Sequence, residues 1–300
     1  MHPRLGLYPA ARTVIAHVSD THLLAGGAPL GGVADTEGAL AQAATQLRRL
    51  GPALDAIVVT GDVADLGEPD AYARARAALE PVAADAGARL VWVMGNHDER
   101  APFRTELLDE PASDDPVHQV FDLDGLRIVA LDSSVPGYHH GELDVSALAW
   151  LDGVLSVPAP RGTVLALHHA PIPTPLVLMD VLELRGQRAL AEVVWGRDVR
   201  LILGGHLHYP TQGMFAGVPV AVAGATAYTM DLSAPPRELV GVDGGRSFSL
   251  VHLFDDAVTS SVVPLPPGLV VTRFDEAYLA ELESLEPARR LDRFSRKPES

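Results

Sequence analysis

The sequence predicts an α/β protein, a β-sheet sandwich flanked by helices, with parallel strands early in the chain and antiparallel strands late. Three observations carry this expectation. Short Val/Ile/Leu-rich runs alternate with helix-like stretches through the first two thirds of the chain. Several of those runs, such as "LILG", are apolar throughout, as strands covered on both faces must be. From Thr211 onwards short β-like runs dominate.

In chain order, "TVIAHVS" precedes an alanine-rich helical stretch over 35–50, "AIVVT" precedes a helix over 69–86, and "RLVWVM" precedes a shorter one near 99–108. "VHQVFDLDGLRIVALD" reads as two strands about an Asp-Gly turn. A helix over 145–155 leads to "TVLALH" and then "RLILG", and "SLVHLF" and "VTSSVVPL" close the β-rich part. "SVPAPRG" and "APIPTP" are loops, and the second follows a histidine pair, where it would wall a pocket. With no repeat and no long Gly/Ser linker, residues 1–270 are expected to form one domain, followed by a C-terminal helix and basic tail over 271–300. That tail is either solvated or an arm on another surface, which offers a route to peripheral envelope association.

At 300 residues and 47% hydrophobic content the chain can bury a substantial core, which excludes a disordered scaffold. A net charge of −16, from 23 basic and 39 acidic residues, argues against a nucleic-acid duplex as partner. There is no cysteine, so any metal must be held by imidazole, carboxylate or amide groups, a choice that favours harder ions. Lys297 is the only lysine, which excludes a Walker phosphate loop and a core Schiff base, and neither H-E-x-x-H nor G-x-S-x-G occurs. The first twenty residues lack the pattern of a secretory signal and no segment reaches transmembrane length, so the expected location is the cytoplasm.

Five apolar runs each deliver groups of metal-ligand type just past their ends: Asp20 and His22, Asp62, Asn96 and His97, His168 and His169, and His206 and His208. At the carboxyl ends of parallel strands such groups converge on one crevice. Gly61, Gly95, Gly204 and Gly205 are expected to take strained turns and allow close backbone approach. Asp-x-His and His-x-His are expected to project both side chains from one face of an extended segment. Each motif alone has a plainer reading: Gly-Asp is a common turn, Asn96 could cap the following helix, and His17 reads as a packed core residue.

The order Asp-x-His, Gly-Asp, Gly-Asn-His-Asp, His, Gly-His-x-His resembles the calcineurin-like metallophosphoesterase superfamily, whose fold is a four-layer α/β/β/α sandwich of two mixed β-sheets flanked by helices. Within it, "SDTHL", "TGDVADLGEPDAY", "LVWVMGNHDER", "LDSSVPGYHHGEL", "LALHHAPIP" and "GGHLHY" are similar to class III cyclic nucleotide phosphodiesterases, a bacterial group with a mycobacterial member, over about residues 13–265. The loop "GGAPLGGVADT" departs from the pattern in lacking an aromatic before its glycine, and "HHAP" replaces "HHPP"; both changes bear on the substrate rim.

The resemblance implies a first metal held by Asp20, His22 and His208, a second held by Asn96, His168 and His206, and Asp62 bridging them. His169 would orient ligands or wall the pocket, and Asp65 and Asp98 would orient histidines. Asp62 and His97 are the expected catalytic residues, His97 contacting the phosphoryl oxygen or protonating the leaving alkoxide. Asn96, His97, His140 and His208 are expected to contact substrate, and His139 shares the loop of His140. The mixed ligand set admits manganese, iron, zinc or cobalt as two divalent or trivalent ions, and the resemblance suggests an iron and manganese pair or two manganese ions.

Two such ions about 3.5 to 4 Å apart can lower the pKa of a shared water until hydroxide exists near neutral pH. Two divalent ions exceed the two ligand carboxylates by two positive charges. Hydroxide removes one, and a monoanionic phosphodiester neutralises the rest. Asn96, a neutral amide, holds metal without cancelling the charge that attracts substrate. The implied reaction is hydrolysis of 3′,5′-cyclic nucleotides such as cAMP and cGMP to 5′-monophosphates by a homodimer. A broader phosphodiesterase acting on 2′,3′-cyclic nucleotides or glycerophosphodiesters is the alternative. A non-catalytic scaffold would lack several ligands, whereas all seven positions are filled here.

Overall fold

The computed structural model describes residues 5–235, 237–266 and 268–296, so Lys297 and the end of the basic tail lie outside the described residues. The strands in order are β1 (Thr13–Val18), β2 (Ala56–Thr60), β3 (Arg89–Val93), β4 (Gln119–Leu123), β5 (Leu126–Leu131), β6 (Gly141–Glu142), β7 (Thr163–His169), β8 (Leu184–Arg185), β9 (Val199–Gly205), β10 (Thr211–Phe215), β11 (Val218–Val222), β12 (Thr229–Met230), β13 (Gly241–Val242), β14 (Ser247–Leu253) and β15 (Val258–Pro264). The helices are α1 (Thr36–Leu50), α2 (Pro69–Ala86), α3 (Arg100–Leu107), α4 (Val145–Leu155), α5 (Gln187–Val194), α6 (Glu276–Ser284) and α7 (Pro287–Ser295).

Helix boundaries follow local chemistry. Asp35 caps α1 by accepting from the Gly38 N–H, and Asp144 does the same for α4 through Ala147. Proline opens α2, and Gly87, at φ +68°, ends it. The eight-residue α5 was not legible in the sequence, since two turns are too few to establish a helical period.

Strand order is β15-β14-β1-β2-β3 in one sheet and β10-β11-β9-β7-β5-β4 in the other. The β1, β2 and β3 strands run parallel, with β14 and β15 added antiparallel. In the second sheet β5, β7, β9 and β11 are parallel and the edge strands β4 and β10 are antiparallel. The expected split into early parallel and late antiparallel strands therefore needs correction: β11 comes late yet pairs parallel with β9, because its connection from β10 is a tight hairpin on the sheet edge.

Alternate residues of the apolar strands face different cores. Ile15, Val58, Ile128, Val164 and Leu201 lie between the sheets. Ala16, Ile57 and Val59 face outward onto α1 and α2 with Leu40, Leu47 and Tyr72, while Val129, Leu165 and Ile202 face α4 and α5 with Leu151 and Leu190. Three cores separate four layers, which is the α/β/β/α sandwich; both sheets are covered on both faces, so the central strands carry no polar face. Over 271–296, α6 and α7 meet through Phe274, Tyr278 and Phe294. Among the described residues no helix is long and apolar enough to cross a membrane.

Candidate metal centre

Five parallel strands end at one place. Asp20 and His22 follow β1, Asp62 follows β2, Asn96 and His97 follow β3, His168 lies in β7 itself, and His206 and His208 follow β9. The loops are stitched together by backbone: Asp20 N–H donates to the Gly61 carbonyl at 3.1 Å, His22 N–H to Asp62 at 2.9 Å, and Ala227 N–H to Asp20 at 3.1 Å.

The backbone departs from the extended geometry expected of Asp-x-His and His-x-His. Asp20, His22, Asp62, His206 and His208 have φ of +52°, +42°, +50°, +70° and +60°. Strain thus falls on the polar residues themselves, in a region that costs an ordinary side chain about 1 to 2 kcal/mol. Gly61 is left-handed as expected, at φ +87°, but Gly95, Gly204 and Gly205 are not. Close approach explains all three: a Cβ on Gly95 would stand 2.2 Å from Asp62 Oδ1, one on Gly204 2.8 Å from Ala170 Cβ, and one on Gly205 2.0 Å from Ser19 Oγ.

The side chains form two lobes. In the first, His22 Nε2 and His208 Nε2 are 3.0 Å apart, and His208 Nε2 is 3.4 Å from Asp20 Oδ1. In the second, His168 Nε2 is 3.0 Å from Asn96 Oδ1, and the His206 ring lies 5.1 Å from that of His168. Asp62 stands between them, with Oδ2 at 3.5 Å from His22 Nε2 and 3.3 Å from His168 Nε2. The His-x-His pair is therefore divided, His206 going to one lobe and His208 to the other.

Hydrogen bonds fix which nitrogen faces inward. His22 Nδ1 donates to Asp65 Oδ1 at 2.9 Å and His168 Nδ1 to the Thr60 carbonyl at 2.7 Å, so each ring turns Nε2 to the centre. His206 Nε2 donates to the Leu182 carbonyl at 3.0 Å, turning Nδ1 inward. That carbonyl comes from the segment 177–182, which follows "APIPTP", and not from the loop expected to wall the site.

Asp20 and Asp62 are 0% and 2% exposed, and their ion-pair partners among the described residues are histidines only. Burial pushes Asp62 up, but His168, His22 and His97 outweigh it and hold the carboxyl well below the usual range. Burial likewise opposes charge on His168, yet Asp62 and Asp20 raise it to about 9, and Asp65 and Asp62 raise His22 in the same way. Burial holds His208 and His169 well below the usual imidazole range and His206 at about 3. The buried carboxylates thus draw positive charge into both lobes, through His168 in one and His22 in the other, while burial pushes Asp20 itself above the usual carboxylate range. That donor set, nitrogen and oxygen lone pairs aimed inward without a lysine or arginine, fits divalent cations.

Residues 13–210 match the model of the calcineurin-like phosphoesterase family. The chain belongs to that family. This phosphoesterase is 48% identical over 301 residues to a cAMP/cGMP dual specificity phosphodiesterase of Mycobacterium tuberculosis (strain CDC 1551 / Oshkosh), covering 98% of this chain and 95% of the relative. It is 49% identical over 271 residues to a probable cyclic nucleotide phosphodiesterase of Rhodococcus erythropolis, covering 90% of each chain. Among solved structures it is similar in fold to a purple acid phosphatase from yellow lupin seeds, with a TM-score of 0.63 at 13% identity, covering 91% of this chain and 55% of that one. The family carries divalent metal ions, and the buried His/Asp cluster of this phosphoesterase is where they would be held.

Other expected residues fall in different places. Asp65 accepts from His22 Nδ1 at 2.9 Å. Asp98 does not reach a histidine; it accepts from the Val63, Ala64 and Gly95 N–H groups and so holds two of the site's loops. Asn96 caps no helix, since Glu99 occupies that position for α3. His97 N–H donates to Asp62 Oδ1 at 2.8 Å and its Nδ1 donates to the Asp65 carbonyl at 2.8 Å, leaving Nε2 free on a partly exposed ring. His169 bonds Ser133 Oγ at 2.9 Å and lies against His206.

His140 is buried against the Tyr138 ring, whereas His139 accepts from Asn96 Nδ2 at 3.0 Å and packs on His97. The loop thus presents His139 to the centre, a choice between neighbours that no sequence pattern encodes. Sequence reasoning missed Tyr228, whose ring lies 4.3 Å from that of His208. Burial and the nearby Asp20 push its phenol up to about 12, so it remains a neutral donor. Nothing in "GATAYTM" marks it.

Proposed function

We propose that the protein is a dinuclear-metal phosphodiesterase that hydrolyses 3′,5′-cyclic nucleotides to 5′-nucleoside monophosphates. The observation that carries the reading is the single oxygen Asp62 Oδ2, within 3.5 Å of His22 and 3.3 Å of His168, which suits a carboxylate shared by two cations. The choice of cyclic nucleotides rests on the relative named for cAMP and cGMP, which matches nearly the whole chain.

In this reading Asp20, His22 and His208 hold the first ion, Asn96, His168 and His206 the second, and Asp62 both. Bound there, two divalent ions supply Lewis acidity towards the phosphoryl oxygens and a nucleophile from water at neutral pH. Asp65, the Thr60 carbonyl and the Leu182 carbonyl orient the imidazoles so that none needs to rearrange. Asn96 and His97 face the phosphate; His97 keeps its Nδ1–H on the Asp65 carbonyl and turns Nε2 to the departing ribose oxygen, the place from which an imidazole passes a proton. His139, next to Asn96 and His97, takes the substrate-side place expected for His140. An iron and manganese pair or two manganese ions is the proposed content, with zinc and cobalt compatible with the same donors.

The test compares metal-replete hydrolysis of cAMP, cGMP, 2′,3′-cyclic AMP, a glycerophosphodiester and a monoester at equal concentration, alongside Asn96→Ala and His206→Ala. The expected outcome is preference for 3′,5′-cyclic nucleotides, loss of about a hundredfold or more of turnover in both variants, and weaker binding of the second ion with unchanged circular dichroism. Wild-type turnover after exhaustive chelation would refute the mechanism. The reading includes a cytoplasmic homodimer, to be checked by fractionation and sedimentation velocity.

A further inference from the structure

Two openings lead away from the metal centre, and they differ in chemistry. On the Asn96 side a cavity of about 230 Å³ is lined by Asp98, Glu99 and Asp114 with Val135 and Pro136, and its one cation, Arg100, is already bound to Asp132 and to two backbone carbonyls. On the His22 side a cleft of about 410 Å³ begins at His22 and His97 and continues between apolar walls. Leu30 and Val33 form one wall, Val242 the other, and Tyr228 lines the same space together with Asp65 and Asp243.

The walls are built rather than loose. Leu30 and Ala34 exchange backbone hydrogen bonds at 2.9 and 3.0 Å, with Gly31 and Gly32 left-handed at the turn, so that loop holds Val33 77% exposed. Gly241 lies so close over Tyr228 that a Cβ there would stand 2.7 Å from the ring, and β12 and β13 keep Val242 38% exposed beside it. Arg246 pairs with Asp243 at 3.2 Å and reaches the Asp35 carbonyl at 3.5 Å, joining the two sides at their base. Exposed valines facing a cleft that opens from a polar centre leave apolar surface in water for a ligand to cover.

We infer that this cleft is the nucleoside subsite, with the purine base covering Val33, Val242 and Tyr228 while the phosphate sits at the His/Asp centre. The inference rests on the function proposed above. The opening beside Asn96 is smaller and sets only Val135 and Pro136 among three carboxylates, whereas the cleft sets Leu30, Val33, Ala34, Val242 and Tyr228 against Asp65 and Asp243, and its volume falls in the range of sites for small ligands. Apolar walls recognise the flat base by area more than by its hydrogen-bonding edge, so adenine and guanine fit alike.

Calorimetric titration of the manganese-loaded protein with AMP and with ribose 5-phosphate tests it, since the two share phosphate and sugar and differ in the base. Wild-type protein is expected to bind AMP about tenfold more tightly or better. In Val33→Asp and Val242→Asp, both at exposed positions, that preference is expected to fall towards unity, because a base laid on a carboxylate strips its water. Equal wild-type affinity for the two ligands, or a preference that survives in both variants, would overturn the assignment. Failure to hydrolyse cAMP with the AMP preference intact would remove the proposed function and leave the cleft a nucleoside site. Hydrolysis of cAMP with the preference unmoved would remove only the cleft.

Discussion

Of the nine non-glycine residues with left-handed backbone in the described chain, five are Asp20, His22, Asp62, His206 and His208. Their side chains could not meet from regular strands, and the strain is carried where the charge is needed. A contrasting histidine shows what the core does with an imidazole that has no such role. His17 is fully buried in β1, with Nε2 at 2.9 Å from Thr60 Oγ1, and burial lowers its pKa from 6.5 to about 3. The unfolded chain takes up a proton below pH 6.5 that the folded chain refuses. The stability tied to neutral His17 is therefore complete above pH 6.5 and shrinks as pH falls towards about 3, by about 1.4 kcal/mol per pH unit. Urea unfolding of the chelated protein should show a shallower acid decline for His17→Gln than for wild type; equal slopes would assign the decline elsewhere.

The strands β1, β2, β3, β7 and β9 end where side chains stop packing and start converging. At the end of β9 the Gly205 position has no room for a Cβ, with Ser19 Oγ, Thr60 O and Asp20 Oδ2 at 2.0, 2.8 and 2.9 Å. Gly205→Ala must push β9 from β1 and β2 or displace Asp20, which itself receives the His206 N–H at 3.1 Å. The expected result is about 1 to 3 kcal/mol lost in chemical denaturation together with weakened manganese binding by calorimetry; unchanged affinity would mean that the loops adjust independently. The five strand ends and their ligand-type residues were legible in the sequence because apolar runs and turn glycines are local signals. The separation of His206 from His208, the contact of Asp98 with backbone and the choice of His139 over His140 were not. These depend on φ values and on which distant loops meet.

At the scale of the molecule, three apolar cores lie between the four layers, and every residue of those cores falls between residues 14 and 265. The helices α6 and α7 follow that range and pack on one another, Arg290 donating to the Leu282 and Leu285 carbonyls at 2.8 and 3.0 Å. Removal of 271–300 should leave the melting temperature within a few degrees and cAMP turnover near wild type, since core burial is the dominant stabilising term. A large fall in melting temperature would show that the terminal helices hold the sandwich together.

The amino-acid sequence by itself determined the alternation of strands and helices and the kind of chemistry, because continuous apolar runs, helix-like stretches and histidine-rich strand ends are written in neighbouring residues. The division of those ligand-type side chains into two lobes around Asp62, and the neighbours that received roles unmarked by any motif, belong to the tertiary structure. The physical reason is that a side chain's partners are fixed by backbone torsions and interlayer packing, which couple residues as far apart as Asp20 and His206.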